Sequence, residues 1–325
     1  MSFNLRIIKN RYARWVIYPL ILVAIYPLIS QALNLLRSDN GFVLEWALIP
    51  VDEILHGGPP RDGIPSIDHP RFLAAEDVDF LQDSDRVLGI ERNGIRKAYP
   101  IRILNHHEIV NDHFGDEAIV VSFCPLCGTG MAFSATVGGK ERTFGVSGLL
   151  YKSDVLLYDR QSESLWSQLK RLAISGSMKG ERLQQVAMSH TTWGAWKAGG
   201  DTQLLSTDTG YRRDYSKNPY GDYGESEKIF FPVGTIDRRY HPKEQVIGLE
   251  LDGKFKAYPF IELANSESPL NDTLAGQKIS VRFDAARRSG AVYDSVGREI
   301  PTVIAFWFAW SSFHPEGELF SISGN

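Results

Sequence analysis

Two β-rich apolar runs flank Asn93-Gly94 in residues 87–100, VLGIERNGIRKAYP. Such a dipeptide supplies the positive φ values of a type I′ turn, so the pattern predicts a hairpin. Tyr99-Pro100 closes it, and Pro100 favours a short helix in the following IRILNHHEIV. Ile103, Leu104, His107 and Val110 would share one face of that helix by i, i+3 and i+4 spacing. Ala118 to Phe123 reads as a buried strand. Met131 to Val137, Gly138-Gly139 and Arg142 to Val146 predict a further hairpin, and Leu149 to Asp159 is strand-like. Residues 206–228 are dominated by Gly, Pro, Asp and Tyr and predict a long ordered loop. The fold class expected is β-rich α+β, with few long helices.

The opening pattern occurs twice. Residues 246–259, VIGLELDGKFKAYP, match residues 87–100 at 8 of 14 positions, with Asp252-Gly253 at the turn. Leu104, Glu108 and Asn111-Asp112 then correspond to Leu263, Glu267 and Asn271-Asp272 after a one-residue slip, and Val121-x-Phe123 to Val281-x-Phe283. Trp193-x-x-Trp196 is echoed by Trp307-x-x-Trp310, with about 45 fewer residues before it in the second copy. An internal duplication is therefore expected, giving a first lobe over 66–228 and a second, degenerate lobe over 229–325.

An uncharged run from Trp15 to Leu36 precedes all of this, and would span about 33 Å as a helix, enough for a bilayer core. Arg6, Lys9, Arg11 and Arg14 on its short N-terminal side predict that residues 1–14 stay in the cytoplasm and that the bulk of the chain lies outside, on a single-pass inner-membrane anchor. A cleaved signal ending at Ser30-Gln31-Ala32 is the alternative, leaving a secreted or periplasmic protein. Residues 37–65 would be a tether and lead-in. Taking the leader's four basic residues from the total of 35 leaves 31 against 39 acidic ones, so the exported part is mildly acidic. No basic block interleaves with aromatics, which argues against nucleic acid as a partner. The membrane is the expected partner, and a protein or small-molecule partner is undefined.

The chain's two cysteines stand together in Phe123-Cys124-Pro125-Leu126-Cys127-Gly128-Thr129-Gly130, where the second copy has Asp284-Ala285-Ala286-Arg287-Arg288-Ser289-Gly290. A strand running into C-P-x-C-G resembles one knuckle of a rubredoxin or zinc ribbon, but the second pair of a full ribbon is missing. His107 is the candidate third ligand, since its counterpart is Ser266; His113 is a weaker addition. Two thiolates and an imidazole form a soft set that favours Cu(I) or Zn. The alternatives are dithiol–disulfide exchange by Cys124 and Cys127, which an oxidising compartment permits, and a structural pair in a non-catalytic binding module.

Ser153, Asp154 and Asp159, in a segment the second copy lacks, could line a polar pocket or serve as acid–base groups. For Asp159-Arg160 a strand end and surface ion pair is the plainer reading. Glu108 and Asp112 persist in the copy without cysteines, which argues for capping or turn roles. Trp166, Trp193 and Trp196 fit core positions. Gly145-x-Ser147-Gly148 lacks the pattern of a nucleophile elbow.

The segments KAYPIRILNHHEIVND, VSFCPLCGTGMAF, FGVSGLLYKSDVLLYDRQSESLWSQ and TGYRRDYSKNPYGDY closely resemble the bacterial family catalogued as domain of unknown function 3179. The resemblance covers about residues 50–320 and implies an exported or membrane-attached protein without an assigned activity. In that family an aromatic residue usually precedes the His-Glu pair; His106 stands there, making His107 the family's histidine.

Overall fold

A computed structural model describes residues 39–322. The expected cytoplasmic segment and the apolar run to Leu36 lie outside the described residues. Among the described residues no helix is long and apolar enough to cross a membrane.

Strands dominate. In the first half, after short strands at Ile54–His56 and Phe72–Ala74, comes a hairpin of β1 (Arg86–Arg92) and β2 (Ile95–Pro100), joined through Asn93 and Gly94 at φ 53° and 74°, as a type I′ turn requires. Helix α1 (Ile101–His107) follows and ends where Glu108 turns to φ 57°. The sequence pattern carried this helix to Val110. The chain instead enters β3 (Ile109–Phe114), which pairs with β4 (Glu117–Cys124), and β4 pairs with β5 (Thr129–Ser134). Gly138-Gly139 does turn a short hairpin. Then come β6 (Phe144–Tyr151) and β7 (Asp154–Asp159). The strand-like run from Leu149 to Asp159 is thus cut by a two-residue turn. Lys152 and Ser153 occupy it at φ 51° and 65°, and neither residue signals such a turn. The half ends with β8 (Ser189–Thr192), α2 (Trp193–Lys197) and β9 (Gln203–Leu205).

Residues 245–319 repeat the order of elements. The hairpin β10 (Gln245–Leu251) and β11 (Lys254–Pro259) leads into α3 (Phe260–Leu263), then β12 (Leu270–Leu274), β13 (Gln277–Asp284) and β14 (Ser289–Asp294). The chain closes with β15 (Val303–Phe306), α4 (Trp307–Phe313) and β16 (Glu318–Leu319). Pairings repeat too: β8 lies antiparallel to β1 as β15 does to β10, and β9 parallel to β2 as β16 does to β11.

Side-chain contacts follow suit. Trp196 lies so close over Gly89, and Trp310 over Gly248, that a Cβ on either glycine would stand 2.4 or 2.2 Å from the ring. Lys97 and Tyr99 both bind the Asp112 carboxylate, as Lys256 and Tyr258 bind Asp272. This places Asp112 as a brace between hairpins. Trp166, Trp193 and Trp196 are core residues.

The halves share one sheet, in the order β16-β11-β10-β15-β5-β4-β3, with Ile304 of β15 opposite Gly130 of β5. The cysteine turn between β4 and β5 therefore lies at a seam. Its apolar surroundings belong to a core cluster drawn from both halves, including Phe133, Leu157, Val246 and Phe306.

Candidate metal centre

Strand register builds the site. Cys124 ends β4 opposite Thr129, and the turn Pro125–Gly128 returns the chain with Gly128 at φ 58°. Phe306 locks this turn from the other half: its N–H donates to the Cys127 carbonyl at 2.8 Å, and its ring fills the space where a Gly128 Cβ would stand. Both cysteines are free and buried. The tight Lys152-Ser153 turn brings the Ser153 carbonyl to 3.5 Å from Cys124 Sγ and 3.2 Å from Cys127 Sγ, and so sets Asp154 beside them.

The two sulfurs and an Asp154 carboxylate oxygen lie within 4.8 Å of one another, all buried. It is Asp154, read from the sequence as a pocket or acid–base residue rather than a ligand, that completes this group. His107 does not belong to it. Its Nδ1 donates to the Pro65 carbonyl at 2.8 Å and its Nε2 accepts from the Tyr215 hydroxyl at 2.6 Å, which in turn bonds Thr209. Both nitrogens are spent on tying α1 to the lead-in and to the loop after β9. Burial pulls the His107 pKa down to about 4, so the ring is neutral.

Of the other candidates, Ser153 contributes its backbone carbonyl, while its hydroxyl donates to Phe231 O at 2.8 Å. Asp159 is fully buried rather than at the surface. It pairs with Arg142 at 2.8 Å, not with Arg160, and also accepts from Ser162 and Trp166. Burial pushes its pKa up, but those hydrogen bonds outweigh burial and hold it low, so it anchors the end of β7. His113 pairs with Glu141 in the open, and His106 bonds the Lys217 carbonyl.

Electrostatics mark the cluster as unfinished without a counter-charge. Burial raises both thiol pKa values; Cys124 adds to the rise at Cys127, and the Asp154 charge adds a smaller share at both. Burial lifts Asp154 to about 8, against the hydrogen bond it accepts from the Leu169 backbone. Asp154 Oδ2 accepts from Leu169 N at 3.0 Å, but Oδ1 is buried with no partner, as is the Tyr223 hydroxyl. A buried polar atom without a partner is uncommon and calls for a physical cause. A cation bound by two thiolates and a carboxylate would supply one, so these residues fit a metal ion.

Three further groups lie nearby: Glu108, expected only as a cap or turn residue, and Tyr220 and Lys243, which no sequence pattern singled out. Glu108 is buried and its pKa rises to about 7, whereas Glu267 in the second half is exposed. Tyr220, from the long loop, donates to Glu108 Oε1 at 3.2 Å. Lys243 has its pKa lowered to about 8 by burial, an effect Cys127 opposes, and its Nζ lies 3.6 Å from the Tyr223 ring centroid. Paired persistence of Glu108 and Glu267 concealed a difference in burial. The clustering of tyrosines in residues 211–223 was the available signal.

No curated protein and no solved structure matches the chain. The family model described as protein of unknown function (DUF3179) matches residues 61–317, and the chain belongs to that family.

Proposed function

We propose that the protein binds one transition-metal ion through Cys124, Cys127 and Asp154, with zinc the best fit. The carrying observation is the Asp154 carboxylate, buried beside two thiols with Oδ1 unpaired. A carboxylate in the set shifts the preference from Cu(I), which suits soft ligands alone, towards zinc. Three protein ligands leave a fourth tetrahedral position for water or a substrate atom, the pattern of working rather than closed zinc sites. Glu108, with its pKa near 7, is suited to exchange protons with whatever occupies that position.

Elemental analysis of the purified protein tests this. One zinc per chain is expected, lost in Cys124→Ser and Asp154→Asn and kept in His107→Gln. Absence of metal from the native protein, together with failure to take up added zinc, overturns it. A second reading, dithiol exchange by Cys124 and Cys127, draws support from the Asp154 carboxyl group beside the two thiols, which offers a proton acceptor. The raised thiol pKa values weigh against it, since the thiolate is the attacking species. A metal-free dithiol that equilibrates with glutathione would favour it.

We further read the repeated element order as an internal duplication in which one copy kept the chemistry. The run from Trp15 to Leu36 supports an exported, membrane-anchored protein. The exposed Val43, Trp46, Leu48 and Val51, a few residues beyond that run, suit a surface next to a bilayer.

A further inference from the structure

A cavity of about 210 Å³ lies beside the cysteine turn. Leu126, between the two cysteines, and Val155, next to Asp154, both line it. Ile64, Val146, Leu149 and Phe231 add to an apolar wall. Its two polar side chains are Glu108 and Tyr220, already bonded to each other. The volume corresponds to about seven waters, which an apolar wall would hold poorly. It is smaller than the roughly 300 Å³ at the low end of ordinary ligand pockets, so its occupant is small.

The wall is built in advance. Gly148, at φ 74°, lets the lead-in segment pack directly on β6: a Cβ there would meet Pro59 O at 2.2 Å and Asn40 Nδ2 at 2.6 Å. Asn40 clamps the same contact by donating to Ser147 O at 2.8 Å, and His56 holds Asn40 Oδ1. Val146, Leu149 and Val155 come from β6 and β7, in the segment without a counterpart in the second half. Most of the cavity wall thus comes from the half that carries the cysteines, with Phe231 added from the segment after it.

We propose that this cavity binds a small apolar molecule through a single donor head group, a primary amine or an alcohol, held by Glu108 and Tyr220. Tyr220 spends its proton on Glu108 Oε1, so with Glu108 ionised the pair presents only acceptors to a ligand. A carboxylate at the end of an apolar chamber selects for a donor, because an analogue without one would leave the carboxylate desolvated and unmatched. This gives the metal reading its substrate class, resting on that reading for the chemistry but on the cavity alone for binding.

The test is calorimetric titration of the full-length protein with benzylamine, benzyl alcohol and toluene, before and after metal removal by chelator. Saturable one-to-one binding of benzylamine or benzyl alcohol is expected, with toluene at least tenfold weaker. Glu108→Gln should weaken benzylamine binding tenfold or more, and Val155→Phe, filling the chamber, should abolish binding of all three. Tyr220→Phe, which keeps the ring, is the milder variant should Val155→Phe fail to fold, and should weaken binding of the donor probes while sparing toluene. Equal binding by wild type and these variants, preference for toluene, or no binding overturns the proposal. Because binding is read with and without metal, a protein that holds no zinc yet takes the probes refutes the metal reading alone.

Discussion

Gly128 and Arg288 occupy the same place in two turns of the same shape. Both have positive φ, 58° and 45°, and each precedes the strand residue that pairs back across the hairpin. Only Gly128 is also pressed by an aromatic ring, with its absent Cβ 2.8 Å from Phe306. Gly128→Ala therefore adds backbone strain and a clash, and should cost about 1–3 kcal/mol in denaturant unfolding, with loss of metal. Arg288→Gly relieves the same backbone strain, at the loss of two exposed hydrogen bonds to Gln245 and a long contact over the Phe260 ring. Its stability should stay within about 1 kcal/mol of wild type. Equal losses at both positions would show that the seam with Phe306 does not constrain the cysteine turn. The difference also explains why the second turn tolerates arginines at this position.

At the scale of elements, the loop over residues 206–228 is held by two tyrosines. Tyr215 bonds His107 and Tyr220 bonds Glu108, both at the C-terminal end of α1. His107→Phe removes the first tie, leaves the Pro65 carbonyl unmatched and the Tyr215 hydroxyl with Thr209 alone, a loss of about 1–3 kcal/mol. Hydrogen exchange should accelerate across residues 206–228, while zinc content stays at the wild-type level. Loss of zinc with the loop still protected would return His107 to the metal. The elements themselves were largely legible: Asn93-Gly94 and Asp252-Gly253 announce the hairpins and Pro100 the helix. What escaped was information that one-dimensional patterns do not carry. Helical spacing placed His107 inward but not towards which neighbour. Lys152-Ser153 adopts a turn conformation that asparagine and glycine usually signal. That turn delivers Asp154 to the thiols, so missing it meant missing the third member of the cluster.

Across the whole molecule the halves close one another. β15 continues the sheet from β5, β8 packs beside β14, and Arg86 donates to the carbonyls of Arg287 and Arg288 in the second turn. Three histidines, His107 and His190 buried and His314 partly so, are held neutral. His190, on β8, bonds the Gly130 carbonyl on β5, and burial, followed by Arg86, lowers its pKa to about 3. His314 stacks on Phe255 at 3.9 Å, and burial, then Lys170 and Arg171 from the first half, takes it to about 3. His107 makes a third, near 4. Each has its folded pKa depressed below the ordinary 6.5, so each contributes stability that is complete above 6.5 and is lost as pH falls towards 4 and then 3. Asp154 and Glu108 act in the opposite sense, because their raised pKa values let the folded state keep protons that the unfolded chain gives up above about 4. Between about pH 4.5 and 6.5 three histidines oppose two carboxyls, and the metal-free protein should gain stability with rising pH. From about 6.5 to 8 only the carboxyls remain, and its stability should fall. A denaturant midpoint that peaks near pH 6.5 without metal is the expected profile. Zinc, which binds the deprotonated ligands, should remove the decline on the alkaline side. His190→Gln should flatten the acid limb by about one proton's slope and leave the alkaline limb untouched. A midpoint that climbs steadily to pH 8 in the chelated protein would mean that Asp154 and Glu108 are not held protonated, and the cluster would need no cation to balance it.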